Sequence, residues 1–98
     1  MLSLCEVFKV ALFLIKYGTD NSAEKIKLKN TNDDDVLIFI QNGVYWTINS
    51  EINNIKGKKF TLKSDFISRG YQESSSLTDL IDYSQFIDII EENEKIIG

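Results

Sequence analysis

Cys5 is the one thiol in a chain that contains no histidine. A cysteine becomes a good nucleophile when a nearby cation, a helix N-terminus or a metal lowers the pKa of its thiol. Glu6, beside it, has the wrong charge for that effect, and Cys5 precedes the first predicted strand instead of following it. We therefore expect a packed or incidental thiol. The alternative is a sulfur acceptor that uses Cys5 as its nucleophile.

The cysteine and histidine counts also exclude several kinds of chemistry. One cysteine cannot form an intramolecular disulfide, and without histidine the usual Cys/His zinc site and a histidine base are excluded. The single thiol is compatible with the reducing cytoplasm but does not require it. The sequence therefore predicts no metal and no cofactor.

Three other clusters contain residue types found in metal-binding, nucleic-acid-binding or phosphate-binding sites, but their spacing does not match those sites. Asp33, Asp34 and Asp35 are adjacent, whereas calcium loops place carboxylates at alternate positions, so we expect a solvated turn. Lysines 56, 58 and 59 form a basic turn with no interleaved aromatic residue beyond Phe60. Residues 17–21, YGTDN, lie where doubly wound folds hold phosphates, but they lack the glycines and the lysine of known phosphate loops. A nucleotide or small-ligand module at this turn is a further alternative.

The bulk composition is that of one soluble globular domain. The 98 residues are 43% apolar and 27% charged, and the formal net charge is −4. Proteins that grip DNA or RNA need clustered positive charge, so we expect no direct nucleic-acid binding. Glu6 and Lys9 interrupt the apolar run at residues 1–15, which is also too short to span a bilayer and has no signal-peptide pattern. We expect no membrane association.

The rest of the predicted fold is organised around residues 33–46, DDDVLIFIQNGVYW. The apolar run 36–40 is typical of a parallel strand that is covered on both faces. Gln41, Asn42 and Gly43 supply turn chemistry. Apolar residues then recur at helical spacing and predict one amphipathic helix over 43–55, with Val44, Ile48, Ile52 and Ile55 turned inward. In parallel sheets, ligands and partners meet the carboxyl ends of the strands, which here is this turn.

The segments before this core strand predict a strand and a helix. The apolar residues up to Lys16 predict a strand that begins near Phe8 or Val10. Asn21 and Glu24 have the spacing of a capping box at the start of a helix over 22–29. The predicted helix turns Ala23, Ile26 and Leu28 inward and lysines 25, 27 and 29 to solvent.

The segments after the core strand continue the alternation of strand and helix. They predict a short strand over 60–63 near a sheet edge, a helix over 65–69 between a Ser64 cap and Gly70, and a strand ending near Asp82. A last helix follows, with a capping box of Asp82 and Gln85 and a short strand over 95–97 behind it. Its predicted buried stripe is Tyr83, Phe86, Ile87 and Ile90. This order predicts parallel strands joined by crossovers, an α/β domain.

Three stretches taken together resemble the DsrH/TusB family of sulfur-relay subunits. They are VALFLIKYGTD (10–20), DDDVLIFIQNGVYWTI (33–48) and DFISRGYQESSSLTDLIDYSQFIDII (65–90). Their most specific parts are the apolar strand followed by QNGV, the FISRGY helix end, and IDYSQFI at the start of the last helix. Residues 1–9 fall outside the resemblance. We therefore divide the chain into an N-terminal extension, 1–9, which could stem from an upstream start, and a DsrH/TusB-like domain, 10–98.

This resemblance implies a fold and a role. The fold is a single three-layer α/β/α domain with a mainly parallel sheet of about four or five strands. Members act in the cytoplasm beside DsrE/TusD-like and DsrF/TusC-like subunits and relay sulfur as a persulfide, in the TusB case towards 2-thiolation of the tRNA wobble uridine. The persulfide cysteine belongs to the DsrE/TusD-like subunit. Some DsrH members also have a cysteine in the first helix, and residues 22–29 here contain none.

We therefore expect a non-catalytic subunit that contacts a cysteine-bearing partner or, when alone, a second copy of itself as a homodimer. Tyr45 and Trp46 lie about 100° apart on a helix, so one can face the core while the other points elsewhere. The residues expected to line the contact surface, or the cleft beside it, are Gln41, Asn42, Gly43, Tyr45, Trp46 and Arg69.

Overall fold

The computed structural model describes residues 11–93 and 95–97. Three predictions concern residues outside this range: the role of the Cys5 thiol, the N-terminal extension 1–9, and the start of the first strand near Phe8 or Val10.

Within residues 11–93 and 95–97, five parallel strands form the sheet, in the order β4-β3-β2-β1-β5. The parallel α/β fold predicted from the sequence is therefore confirmed. The strands are β1 (Leu12–Ile15), β2 (Val36–Phe39), β3 (Lys58–Leu62), β4 (Asp79–Ile81) and β5 (Ile96–Ile97). The described residues also form helices that connect these strands: the α-helices are α1 (Ser22–Lys29), α2 (Lys63–Ser68) and α3 (Tyr83–Glu92), and the 3-10 helices are Gln41–Ile48, Ser50–Asn54 and Glu73–Ser75.

The two central strands are apolar along their whole length because both faces of the sheet are covered. β1 and β2 pair in register from Leu12 with Val36 to Ile15 with Phe39. Alternate residues then point to opposite faces and build two separate apolar clusters. One cluster, against α1 and the first two 3-10 helices, contains Phe13, Ile15, Leu28, Leu37, Phe39, Trp46 and Ile52; the other, against α3, contains Leu12, Ile38, Leu62, Ile81 and Phe86.

The predicted single helix over 43–55 is wrong. The chain forms two 3-10 helices there, Gln41–Ile48 and Ser50–Asn54, separated by Asn49 in an extended conformation. A 3-10 helix has three residues per turn, so Val44 and Thr47 share the inner face while Ile48 is 38% exposed. Asn49 begins the second helix, since its side-chain oxygen accepts a hydrogen bond from the Glu51 backbone amide at 3.0 Å.

Helix α1 has the predicted bounds but a different inner face. Glu24 and Leu28, one turn apart, are buried, whereas Ala23 and Ile26 are exposed, contrary to the prediction. The reason is the Glu24 carboxylate, which accepts hydrogen bonds from the backbone amides of Lys16 (2.9 Å) and Tyr17 (3.2 Å) after β1.

The predicted capping box of α1 is therefore only half formed. The Asn21 side chain accepts from the Glu24 amide at 2.8 Å, but the Glu24 carboxylate binds the end of β1 instead of the Asn21 amide. Lys27, predicted to face solvent, forms an ion pair with Glu24 at 2.7 Å and is partly buried.

The second half of the chain follows the prediction with smaller differences. Strand β3 lies one position in from the sheet edge, which β4 occupies, and α2 begins at Lys63 directly after β3 without a side-chain cap from Ser64. Gly70 has the left-handed conformation expected after α2 (φ +87°). The Asp82–Gln85 capping box of α3 and the strand near the C-terminus are confirmed.

Tyr83 is the exception in the predicted stripe of α3. It is 65% exposed, whereas Phe86 is buried and Ile87 and Ile90 are half-buried. Tyr83 is the first residue of α3 and lies two positions after the end of β4 at Ile81. In the described part of the chain, no helix is long and apolar enough to cross a membrane.

The buried carboxylate of Asp35 provides a test of how β1 is anchored. One oxygen accepts from the Ala11 amide at 3.0 Å and the other from the Asn32 amide at 2.8 Å. Asp35→Asn replaces one acceptor with a donor, so one buried amide loses its partner. We expect the free energy of unfolding to fall by about 1–3 kcal/mol. Urea denaturation measures it, with Asp33→Asn, an exposed carboxylate, as the control that should change little; equal effects would contradict the anchoring role.

Candidate interaction surface at the carboxyl ends of the strands

The carboxyl ends of four adjacent strands lie in a row, and the connections after them carry the candidate site. β1 is followed by Tyr17 and Gly18, β2 by the turn Gln41-Asn42-Gly43, β3 by α2, and β4 by α3. Such edges of parallel sheets are where ligands and partners usually meet the fold. The predicted site residues fall on the two middle connections, the first of which is the 3-10 helix Gln41–Ile48 that begins with this turn.

Gly43 is required by a close approach between backbones. A Cβ atom on Gly43 would lie 1.9 Å from the carbonyl oxygen of Ile15, far inside van der Waals contact. The turn is also tied to the strands, because the Gly43 amide donates to the Ile40 carbonyl (2.8 Å) and the Ile40 amide donates to the Ile15 carbonyl (2.9 Å). The turn after β2 therefore rests directly on the end of β1.

Gln41 begins this turn in a left-handed conformation, with φ +51°. This conformation is unfavourable for a residue with a side chain, and here a specific contact offsets it. The Gln41 backbone amide donates a 2.7 Å hydrogen bond to the carboxylate of Asp65 in α2. The Gln41 side chain itself is exposed.

Arg69 and Asn42, 27 residues apart, are brought together across the ends of β2 and β3. The guanidinium Nε and Nη2 atoms both donate to the Asn42 side-chain oxygen, at 3.3 and 3.2 Å. Nη1 donates to the Asp65 carbonyl at 3.1 Å. Arg69 thus holds the turn and the end of α2 together while its side chain stays partly accessible.

Tyr45 and Trp46 point to opposite sides, as the sequence allowed. Tyr45 is 38% exposed and makes an edge-to-face contact with Tyr71, whose ring in turn packs on Phe66. Trp46 is 3% exposed and lies in the apolar core, where its indole nitrogen donates to the Tyr17 carbonyl at 3.1 Å. Trp46 therefore positions the connection after β1 from within the core.

The structure adds exposed apolar side chains that the sequence analysis did not assign to the contact surface. Tyr17 is 55% exposed, Ile67 45% and Tyr83 65%, and each belongs to a connection that begins at a carboxyl strand end. Ile67 and Tyr83 border a shallow, mostly apolar depression between α2 and α3. We name the whole row the carboxyl-edge surface, which consists of Tyr17, Gln41, Asn42, Tyr45, Ile67, Arg69 and Tyr83. These residues are neighbours because of the order of the strands in the sheet, and that order cannot be obtained from the sequence alone.

This surface contains residue types that are common in protein interfaces. Tyrosine and arginine are enriched among the residues that dominate binding energies. In residues 11–93 and 95–97, no three His, Cys, Asp or Glu side chains are placed to hold a metal ion. The predicted roles of the six site residues as contact residues stay predictions, since the chain is seen alone.

The close approach at Gly43 predicts a large difference between two glycines. Gly43→Ala forces the new methyl group into a backbone carbonyl that a side-chain rotation cannot move, so we expect a loss of about 1–3 kcal/mol or more. Gly18→Ala is the matched control. Its Cβ would meet no atom nearer than 3.5 Å, and its stability should change by less than about 0.5 kcal/mol. Urea unfolding measures the free energy of unfolding of both variants. A Gly43→Ala variant as stable as the wild type would contradict the close approach of the two backbones.

Comparisons with known proteins agree with this fold. The sequence model of the family described as "DsrH like protein" matches residues 20–96. A solution NMR structure of Tm0979 from Thermotoga maritima superposes with a TM-score of 0.73 at 44% identity, covering 91% of this chain and 100% of that one. A second NMR structure of Tm0979, there proposed to be a sulfur transferase, gives 0.67 and 43% over the same shares of both chains. No curated protein matches the sequence.

Proposed function

The chain belongs to the DsrH-like family, and from that premise we propose that it is a non-catalytic subunit of a sulfur-relay complex. In this proposal a thiol on another subunit carries the sulfur as a persulfide, and this chain supplies shape and contact surface. The similarity to Tm0979, proposed to be a sulfur transferase, extends over that protein's whole length and supports a role in sulfur transfer.

The observation that carries the proposal is the carboxyl-edge surface. Its aromatic and aliphatic side chains are exposed to water in the free subunit. Covering them with a partner removes apolar surface from water, which favours binding. Arg69 is held in a defined position by Asn42 and the Asp65 carbonyl, so little side-chain entropy is lost when it binds a partner. Such a surface is typical of a subunit that forms a stable complex.

The finer assignment follows the family. The partners would be DsrE/TusD-like and DsrF/TusC-like subunits, the compartment the cytoplasm, and the final purpose 2-thiolation of the tRNA wobble uridine. The net charge of −4 supports the view that the tRNA is not held by this subunit's overall charge. A homodimer through the same surface is the alternative when no such partner is present.

The contact role predicts which side chains a partner needs. We expect Tyr45→Ala combined with Arg69→Ala to weaken binding to a purified DsrE-like or DsrF-like subunit from the same organism by at least about tenfold. The physical reason is the loss of one aromatic anchor and one positioned cation. Isothermal titration calorimetry measures the affinity, and an NMR spectrum confirms that the variant is folded.

The matched control removes the same kinds of side chain elsewhere. Ile26 on α1 is 63% exposed and Lys58 is exposed at the start of β3, so Ile26→Ala combined with Lys58→Ala should bind like the wild type. Equal weakening by both pairs, or no binding to either subunit by the wild type, counts against the proposal.

The competing sulfur-acceptor hypothesis rests on Cys5, which lies outside the described residues. In that reaction the Cys5 thiolate attacks the outer sulfur of a donor persulfide, a new S–S bond forms at Cys5, and the donor leaves as a thiolate. Under our proposal, intact-mass spectrometry after incubation with a persulfide donor shows no added sulfur on the isolated chain. One added sulfur on the wild type and none on Cys5→Ser would favour the competing hypothesis.

A further inference from the structure

The two faces of the sheet are covered unequally. The apolar cluster on one face includes residues of α1 and of the first two 3-10 helices, whereas every helical residue in the cluster on the other face belongs to α3. Strands in a sheet lie about 4.8 Å apart, so five strands span about 19 Å, but one α-helix is only about 10 Å wide. Among the described residues, α3 therefore leaves part of its face of the sheet open.

Strand side chains on the α3 side of the sheet are covered only in part. Several of them pack against the cluster there but are half-buried, namely Leu14, Val36, Ile40 and Phe60. Ile96 of β5 points to the same side, because its register partner Leu12 belongs to that cluster and the next residue, Ile97, packs on the opposite one. Ile96 is 43% exposed, so apolar surface extends across this face to the edge strand.

Helix α3 has a wider apolar side than the sheet buries. Phe86 is buried, but Tyr83 is 65% exposed and Ile87 is half-buried. At about 100° per residue, Tyr83 and Ile87 lie about 60° and 100° to the same side of Phe86. The helix therefore has an apolar flank beside the stripe that it packs on the strands.

The charged side chains around this apolar surface have both signs. Asp88, Glu91 and Glu92 give α3 an acidic outer side, and the helix contains no lysine or arginine. Lys58, two positions before Phe60 on β3, points to the α3 side of the sheet and is exposed. A surface with both signs can pair with a second copy of itself, because each copy offers a lysine to the carboxylates of the other.

We propose that a second copy of this chain covers this face, in a homodimer with a two-fold axis and the two α3 helices side by side between the two sheets. Two adjacent helices are about 20 Å wide, which matches the width of about 19 Å for five strands. The α3 helix of each copy then covers the strip that the other copy's α3 leaves open. We name this the α3-side surface, which consists of Leu14, Val36, Phe60, Tyr83, Ile87 and Ile96.

The α3-side surface is distinct from the carboxyl-edge surface, and Tyr83 is the one residue that both contain. Tyr17, Asn42, Tyr45 and Arg69 lie on connections that are not part of the α3-side surface. The homodimer therefore does not depend on the proposed sulfur-relay role, and a relay complex would contain two copies of this chain.

Sedimentation equilibrium of the whole chain measures the association. We expect a dimer with a dissociation constant at or below about 10 μM. Ile96→Glu puts a charge on a side chain that is exposed in the single chain and buried in the dimer, so the dissociation constant should rise at least about tenfold. Tyr83→Glu, in the first turn of α3 where a negative charge suits the helix, should have the same effect. NMR spectra show whether both variants are folded.

Two controls separate this surface from the rest of the chain. Ile26→Glu introduces the same charge at a 63% exposed isoleucine of α1, on the other side of the sheet, and should leave the dimer unchanged. Tyr45→Ala with Arg69→Ala, on the carboxyl-edge surface, should also leave it unchanged. A chain that stays monomeric up to about 100 μM, or equal weakening by Ile26→Glu, overturns the proposal. A dimer that the Tyr45 and Arg69 pair breaks and Ile96→Glu does not also overturns it, in favour of association through the carboxyl-edge surface.

Discussion

The backbone of Gly43 packs against the carbonyl group of Ile15, and the arrangement of the carboxyl edge depends on that contact. It places the turn after β2 on the end of β1, where a side chain would separate them. With the turn in that position, Gln41 takes its left-handed conformation and binds Asp65, and Asn42 comes within reach of Arg69. Three neighbouring strands are thereby linked at the edge where contact with a partner is proposed.

Buried carboxylates provide a second set of constraints, one at each end of β1. Glu24 binds the amides that follow the strand, and Asp35 binds the amide of Ala11 that precedes Leu12. These backbone groups lie at sheet ends, where the ladder no longer supplies a partner. The short strand β1 is thus held by side chains at both ends.

Much of the fold could be predicted because its signals are local. The continuous apolar runs mark β1 and β2, and the Asp82–Gln85 spacing marks the start of α3. The errors occur where tertiary contacts override local pattern. Apolar spacing from Val44 to Ile55 suits an α-helix, yet the turn geometry and the extended Asn49 impose 3-10 helices. Glu24 is polar and was predicted to cap the helix. In the structure it is buried, because its carboxylate accepts hydrogen bonds from the two backbone amides that follow β1.

The candidate site could be predicted in part for the same reason. The rule that parallel sheets bind at their carboxyl ends locates the turn at Gln41, Asn42 and Gly43 without a structure. That Arg69 bonds Asn42, and that Tyr17 and Tyr83 join the same row, depends on strand order and on contacts between distant segments.

The central claim is that this chain supplies contact surface while the sulfur is carried by a thiol elsewhere in the complex. The most direct measurement is mass spectrometry of each subunit after the reconstituted complex has reacted with a persulfide donor under non-reducing conditions. We predict added sulfur on the partner's cysteine, no change in the mass of this chain, and loading of the partner that depends on the presence of this chain. Added sulfur on this chain's Cys5, or equal loading of the partner without it, would contradict the account.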